Sequence, residues 1–166
     1  MSNWSARLVA VMSLSLSGIA VQALEREPVM TLDVAQDMSR ACVAFAKAKG
    51  WRMNIAVVDA GANVIAFSRM DHSFLGSGDI ATRKAKFAAS FPVSTRYAGE
   101  LVYGKDGKPG TLPGFVEMPG VVAFAGGLPV MAAGAHVGGI GVSGGSPDED
   151  EQCAAAALDA VKGALK

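Results

Sequence analysis

Residues 121–145 read VVAFAGGLPVMAAGAHVGGIGVSGG, three short apolar runs cut by glycine-rich turns. Runs of this length bounded by turn residues are strands rather than helices. Gly138, Gly139 and Gly141 fall inside the last run and remove side chains from it. A sheet face without side chains must be approached closely by another element or by a ligand. The Ala-rich C-terminal segment, with Ala157, Ala160 and Ala164 on one face, is the expected partner.

The rest of the chain supplies what packs on such a sheet. Thr31 reads as an N-cap, followed by apolar Val34, Met38, Cys42 and Phe45 at helical spacing and Gly50 as the stop. MNIAVV and VIAFS, joined across DAGAN, predict a hairpin from residue 53 to 68. A second helix is predicted after the polar entry 71–78, capped by Ser77, with Asp79 in its first turn and Pro92 ending it. Residues 94–101 predict a short extra helical turn, and the Gly- and Pro-rich 103–120 a long functional loop. A final helix is predicted from about Pro147 to Leu165. The order helix, two strands, helix, loop, three strands, helix implies one mostly antiparallel sheet of five strands with helices packed on it. It excludes a doubly wound parallel sheet, in which strands and helices would alternate.

With 166 residues, about half of them apolar (51%), the chain suits one domain. Its 15 basic and 15 acidic residues balance, and its longest basic run is the pair Arg83-Lys84. This predicts no nucleic-acid partner and no polybasic membrane patch. Residues 1–23 differ from the rest: Arg7, then a mostly apolar stretch ending in Val21-Gln22-Ala23. They read as a cleaved secretory signal, too short for stable membrane anchoring, and imply a periplasmic or secreted protein. Residues 24–30 read as a linker and 31–166 as the single domain. Cys42 and Cys153 each fall on the apolar arc of a predicted helix and read as buried free thiols, although an exported location would permit a disulfide.

Several residues could carry chemistry. In IGVSGGSPDEDEQ the glycine turn resembles a phosphate loop, but Ser146 and Glu149 form a capping-box pattern with Pro147 at the first helical position. Asp148, Glu149, Asp150 and Glu151 then occupy the positive helix end, and the reading is a cap and a solvated acidic face rather than an anion or cation site. On the second helix Lys84 lies in the stripe formed with Ile80, Phe87 and Phe91, with Arg83 beside it. Lys84 either snorkels at the core edge or lines a pocket or subunit boundary, where it could bind a carboxylate or act as acid/base. Only two histidines exist, His72 and His136, so a multi-histidine metal centre is excluded. His72 follows Arg69-Met70-Asp71 in a polar loop that could reach a ligand, and His136 is expected to be exposed at a turn.

With IAVVDAGANVIAFSRMD, GSGDIATRKAKFAASF and HVGGIGVSGGSPDEDEQCAAAALDAV in view, the chain resembles the GlcG/HbpS family over about residues 30–165. That family is described as haem-binding or haem-degrading, and its domain is also found attached to some corrinoid adenosyltransferases. The resemblance implies a profilin-like α/β/α sandwich with a five-stranded sheet, and a homo-oligomer, often an octamer. Asp59, Gly61, Arg69, Met70, Asp71, Arg83, Lys84, Gly144, Gly145 and the acids after them match its motifs. The chain departs at His72, where a glycine or another small residue is expected, and around Glu117 and Met118.

Two functions compete. The first is an exported, oligomeric binding protein for haem or iron, with His72 as metal ligand and Met118 or His136 as other haem-type ligands. Lys84 or Arg83 would pair with a propionate beside Phe87 and Phe91, and Arg69 is a further ligand-binding candidate. The rival is an enzyme acting on a small carboxylated metabolite, with Lys84 or Asp71 as acid/base and Arg69 or Arg83 holding the carboxylate. A third possibility is a non-catalytic oligomeric scaffold.

Overall fold

The computed structural model describes residues 26–166; the expected signal segment, 1–23, lies outside the described residues. Helix α1 spans Leu32–Lys49. The Thr31 hydroxyl accepts from the Val34 N–H at 3.3 Å, and Gly50 closes the helix at φ 76°, a conformation that favours glycine. Strands β1 (Asn54–Asp59) and β2 (Val64–Arg69) form the expected hairpin. Its turn is tied by the Asp59 carboxylate, which accepts the Asn63 N–H at 2.8 Å.

Helices α2 (Ser77–Ser90) and α3 (Thr95–Tyr103) follow. Ser77 does not cap α2, as expected from the sequence, but lies inside its first turn. Its buried hydroxyl donates to the Phe74 carbonyl (2.7 Å) and accepts from Asn54 Nδ2 (2.6 Å). A short 3-10 turn, Pro113–Glu117, interrupts the long loop. Strands β3 (Gly127–Ala132) and β4 (Ala135–Ser143) and helix α4 (Pro147–Val161) complete the chain.

The sheet has four strands in the order β2-β1-β4-β3, all neighbours antiparallel, and not the five expected. The missing strand is 121–125, which is apolar and mostly buried but joins no ladder. It is bracketed by Gly120 (φ 88°) and Gly126 (φ 119°), and it lies on α3. There the Ala123 carbonyl comes so close to Gly99 that a Cβ would stand 2.7 Å away. Burial on a helix produces the same apolar run as burial in a sheet.

The two faces of β1 explain why its sequence is apolar without alternation. Ile55 and Val57 join the main core with Met38, Cys42, Ala46, Cys153, Ala154 and Ala157 of α1 and α4. Ala56 and Val58 face Ala85 and Ala89 of α2. A strand covered by helices on both sides has no solvent face to mark. Gly139 and Gly141 of β4 sit under a helix as expected, but under α2, whereas Gly138 (φ 154°) lies against the Val58 carbonyl of β1. A Cβ on Gly141 would collide with the Ala81 carbonyl and the Ala85 N–H, and one on Gly139 with the Ala85 carbonyl. Ala157 is buried in the opposite layer, while Ala160 and Ala164 are exposed. The smooth face that matters is therefore Ala81, Ala85 and Ala89, one turn apart on α2.

Cys42 and Cys153 are joined in a disulfide, correcting the reading of free thiols, and no free cysteine remains. The bond links α1 to α4 across 111 positions, and both residues are completely buried. Among the described residues no helix is long and apolar enough to cross a membrane.

Candidate functional site

The C-terminal half of α1, the end of β2 and the turn after it enclose an open cleft of about 520 Å³. Val43 and Lys47 come from α1, and Arg52 from the link into β1. Ser68, Arg69, Met70, Asp71 and His72 come from β2 and the turn. The hairpin register places Arg69 opposite Asn54, beside the helix end, and this brings Lys47 and Arg52 to the RMDH segment. Three cations and one acid line the cleft. Among the described residues, ion pairs use Arg40, Arg83, Lys84, Arg96, Lys105 and Lys162, and none uses Lys47, Arg52 or Arg69. The cleft therefore carries a net positive charge suited to carboxylates or phosphates.

The turn itself is strained. His72 adopts φ 63°, a left-handed conformation in which a residue with a Cβ is disfavoured. Ser73 holds it there, its N–H and hydroxyl both reaching the Met70 carbonyl, at 3.2 and 2.8 Å. Of the small residues that the resemblance leads one to expect at position 72, glycine would adopt this conformation without strain. The His72 side chain is exposed and lines the cleft.

The other candidates lie elsewhere. Arg83 lines a second cleft of about 310 Å³ with Ile80, Tyr103, Val116 and Val121 to Phe124. Phe87 is interior, with its ring centroid 5.0 Å from that of Phe91 and 6.1 Å from that of Phe115, so it packs the loop onto α2. Met118 is half-exposed beyond the 3-10 turn. His136 is not free at a turn: its Nε2 lies 3.0 Å from the Ala88 carbonyl, tying the start of β4 to α2. Asp71 is exposed in the first cleft beside His72.

Lys84 neither snorkels nor lines a cleft wall; it is 0% exposed. Its Nζ donates to Asp150 Oδ2 at 2.7 Å and to the Val142 carbonyl at 3.0 Å, and lies 4.6 Å from the Phe124 ring centroid. Asp150 Oδ1 accepts the Gly145 N–H at 2.9 Å. Burial pushes the Lys84 ammonium below and the Asp150 carboxyl above their ordinary values, and each is partly restored by the other's charge. Gly126 closes the chamber; any Cβ there would stand 2.6 Å from Nζ. The acidic run is thus divided. Ser146 and Glu149 form the expected capping box. Asp148 and Glu151 hold Arg96 at 2.6 and 2.7 Å, and Asp150 is interior rather than solvated. Among the described residues no cluster of three or more His, Cys, Asp or Glu could hold a metal ion.

Lys47, Arg52, Arg96 and the partner role of Asp150 were not singled out in the sequence. The only available signal for the last was reciprocal: a lysine in an apolar stripe requires an acid, and Asp150 is the one of the four placed to face inward.

An antiparallel sheet between two helix layers, with an open cation-lined cleft at one end of its hairpin, defines a small α/β domain with a candidate binding cleft. A profile described as haem degrading protein HbpS-like matches residues 30–159, and the chain belongs to this HbpS-like family. It is 35% identical over 133 residues to an uncharacterised 15.0 kDa protein from the dhaT-dhaS intergenic region of Citrobacter freundii, covering 78% of this chain and 90% of that one. The crystal structure of HbpS superposes with TM-score 0.74 at 34% identity, covering 85% and 97% of the two chains. The structure of a PduOC:heme complex superposes with TM-score 0.71 at 26% identity, covering 80% and 95%.

Proposed function

We propose that this protein binds haem or a related tetrapyrrole in the cleft between Lys47 and His72, and does so as an exported homo-oligomer. The observation that carries the reading is the strained, exposed His72 lining a cleft with three cations that form no ion pair among the described residues. His72 supplies an imidazole of the kind that ligates haem iron, and Lys47, Arg52 and Arg69 supply partners for the two propionates. Bound haem would bring redox and ligand-binding chemistry at its iron; the chain's own part is to hold and orient the macrocycle. The heme complex of PduOC and the description of the family support the ligand class.

The buried disulfide favours an oxidising compartment, in agreement with a secretory signal. Phe74 and Leu75, 70% and 86% exposed, follow directly on the cleft turn and suit contact with a second copy, which would cover the open side. Haemin titration should give a saturable Soret shift that is lost in His72→Ala and weakened in Arg69→Ala. An unsaturable signal, or one indifferent to both variants, would refute the reading.

One observation favours a second function. Arg69 and Asp71 line the same cleft, so a small carboxylated metabolite could be held by the first and meet an acid/base in the second. Lys84, sealed and paired, leaves that role to Asp71. Turnover of such a metabolite that survives His72→Ala but not Asp71→Asn would establish it.

A further inference from the structure

The second cleft is separate from the His72 cleft, and the proposed haem site makes no use of it. It lies between α2, the end of α3 and the loop that returns to the sheet. Its walls are Ile80, Val116, Val121, Val122 and Phe124, and its lining includes one charged residue, Arg83, and one phenol, Tyr103. Although the loop is long, the cleft is preformed. Phe115 packs edge-on against the stacked Phe87 and Phe91 rings, with centroid distances of 6.1 and 5.6 Å, and the Leu112 N–H donates to the Leu101 carbonyl at 2.8 Å. Gly110 packs so closely on α3 that a Cβ would collide with the Val102 carbonyl. Phe124 is pinned by the Lys84 ammonium 4.6 Å from its ring centroid. A cleft whose walls are already ordered loses little conformational entropy when a ligand enters.

Its chemistry is that of an apolar slot with one cation. The nearest carboxylate to the Arg83 guanidinium is Asp79, 3.9 Å away, and both side chains are more than half exposed (54% and 74%), so this pair leaves the guanidinium available. A volume of about 310 Å³ suits a compact small molecule and is small for a tetrapyrrole. We infer that this cleft is a second, independent ligand site for a small amphiphilic carboxylic acid. An aromatic or branched apolar body would lie between Val121, Val122 and Phe124, and the carboxylate would pair with Arg83 beside the Tyr103 hydroxyl. A planar guanidinium suits a carboxylate better than it suits a neutral polar head.

Isothermal titration with 3-phenylpropionate tests the assignment. Saturable one-site binding is expected, with affinity at least tenfold lower in Arg83→Gln, lower again at high salt, and reduced in Phe124→Ala. 3-Phenylpropionamide, equal in shape but uncharged, should bind at least tenfold more weakly. His72→Ala should leave the titration unchanged, which separates this site from the haem reading: either can fail without the other. The inference is overturned by absence of saturation at millimolar ligand, by equal binding of acid and amide, by an unaltered Arg83→Gln titration, or by loss of binding in His72→Ala, which would place the acid in the first cleft.

Discussion

Replacing Lys84 with Met keeps an unbranched apolar stem of nearly the same length without the ammonium, so the buried Asp150 loses its counter-ion and keeps one described donor, the Gly145 N–H. At 2.7 Å and an effective dielectric constant of about 20, the attraction removed is about 6 kcal/mol, set against a desolvation penalty of several kcal/mol for each ion. The intact pair is thus close to neutral in net effect, whereas the broken pair is expensive. Breaking it should cost about 3–5 kcal/mol, or about 10–15 °C in Tm for a domain of this size. The loss depends on pH with a definite sign. In the variant the Asp150 carboxyl is raised above its unfolded value by burial without compensation. Stability is therefore retained at pH below the unfolded value and lost as pH rises through the folded one, so the variant should be less destabilised at pH 5 than at pH 8. Urea unfolding followed by circular dichroism, for wild type, Lys84→Met, Asp150→Leu and the double variant, measures both effects. The double variant should recover most of the loss, because an apolar pair of similar volume replaces the ions. Single losses that simply add, or a Lys84→Met protein as stable as wild type at every pH, would refute the interpretation of this pair as a structural interlock.

Three other outcomes are expected. Gly141→Ala should cost upwards of about 4 kcal/mol, or prevent folding, because its methyl meets the α2 backbone, while Gly107→Ala, in open space, should cost much less even at φ 77°; thermal melts compare them. Cys42→Ser with Cys153→Ser should lose about 2–5 kcal/mol by denaturant titration, and the native disulfide should resist dithiothreitol until the protein unfolds, since both residues are fully buried. The Asp59 carboxyl should titrate below its ordinary value of 3.8 in NMR, chiefly because it accepts the Asn63 N–H. Its contribution to stability is then present above that value and lost as pH falls below it, and Asn63→Pro should return the midpoint towards 3.8.

Much of the local structure was legible because it rests on neighbours in the chain. The α1 caps at Thr31 and Gly50, the Asp59 to Asn63 turn and the Ser146 to Glu149 capping box all depend on residues a few positions apart. The candidate site was half legible on the same ground. Arg69, Asp71 and His72 are consecutive or nearly so and stay together in one cleft. Lys47 and Arg52 reach it only because α1 packs beside the hairpin, and Arg83 turns away because α2 leads to a different cleft.

What the sequence determined by itself is the succession of elements apart from the 121–125 run, the antiparallel hairpin, the family and the demand that β4 lie close against something small. Periodicity and turn chemistry suffice for these, since they are short-range properties of the chain. Tertiary structure decided which small surface meets those glycines, whether the 121–125 run joins the sheet, whether two cysteines separated by 111 positions meet, and which of four acids neutralises Lys84. Each of these depends on how helices from distant parts of the sequence stack on a common sheet. Burial leaves the same apolar or small-residue signature whichever partner supplies it.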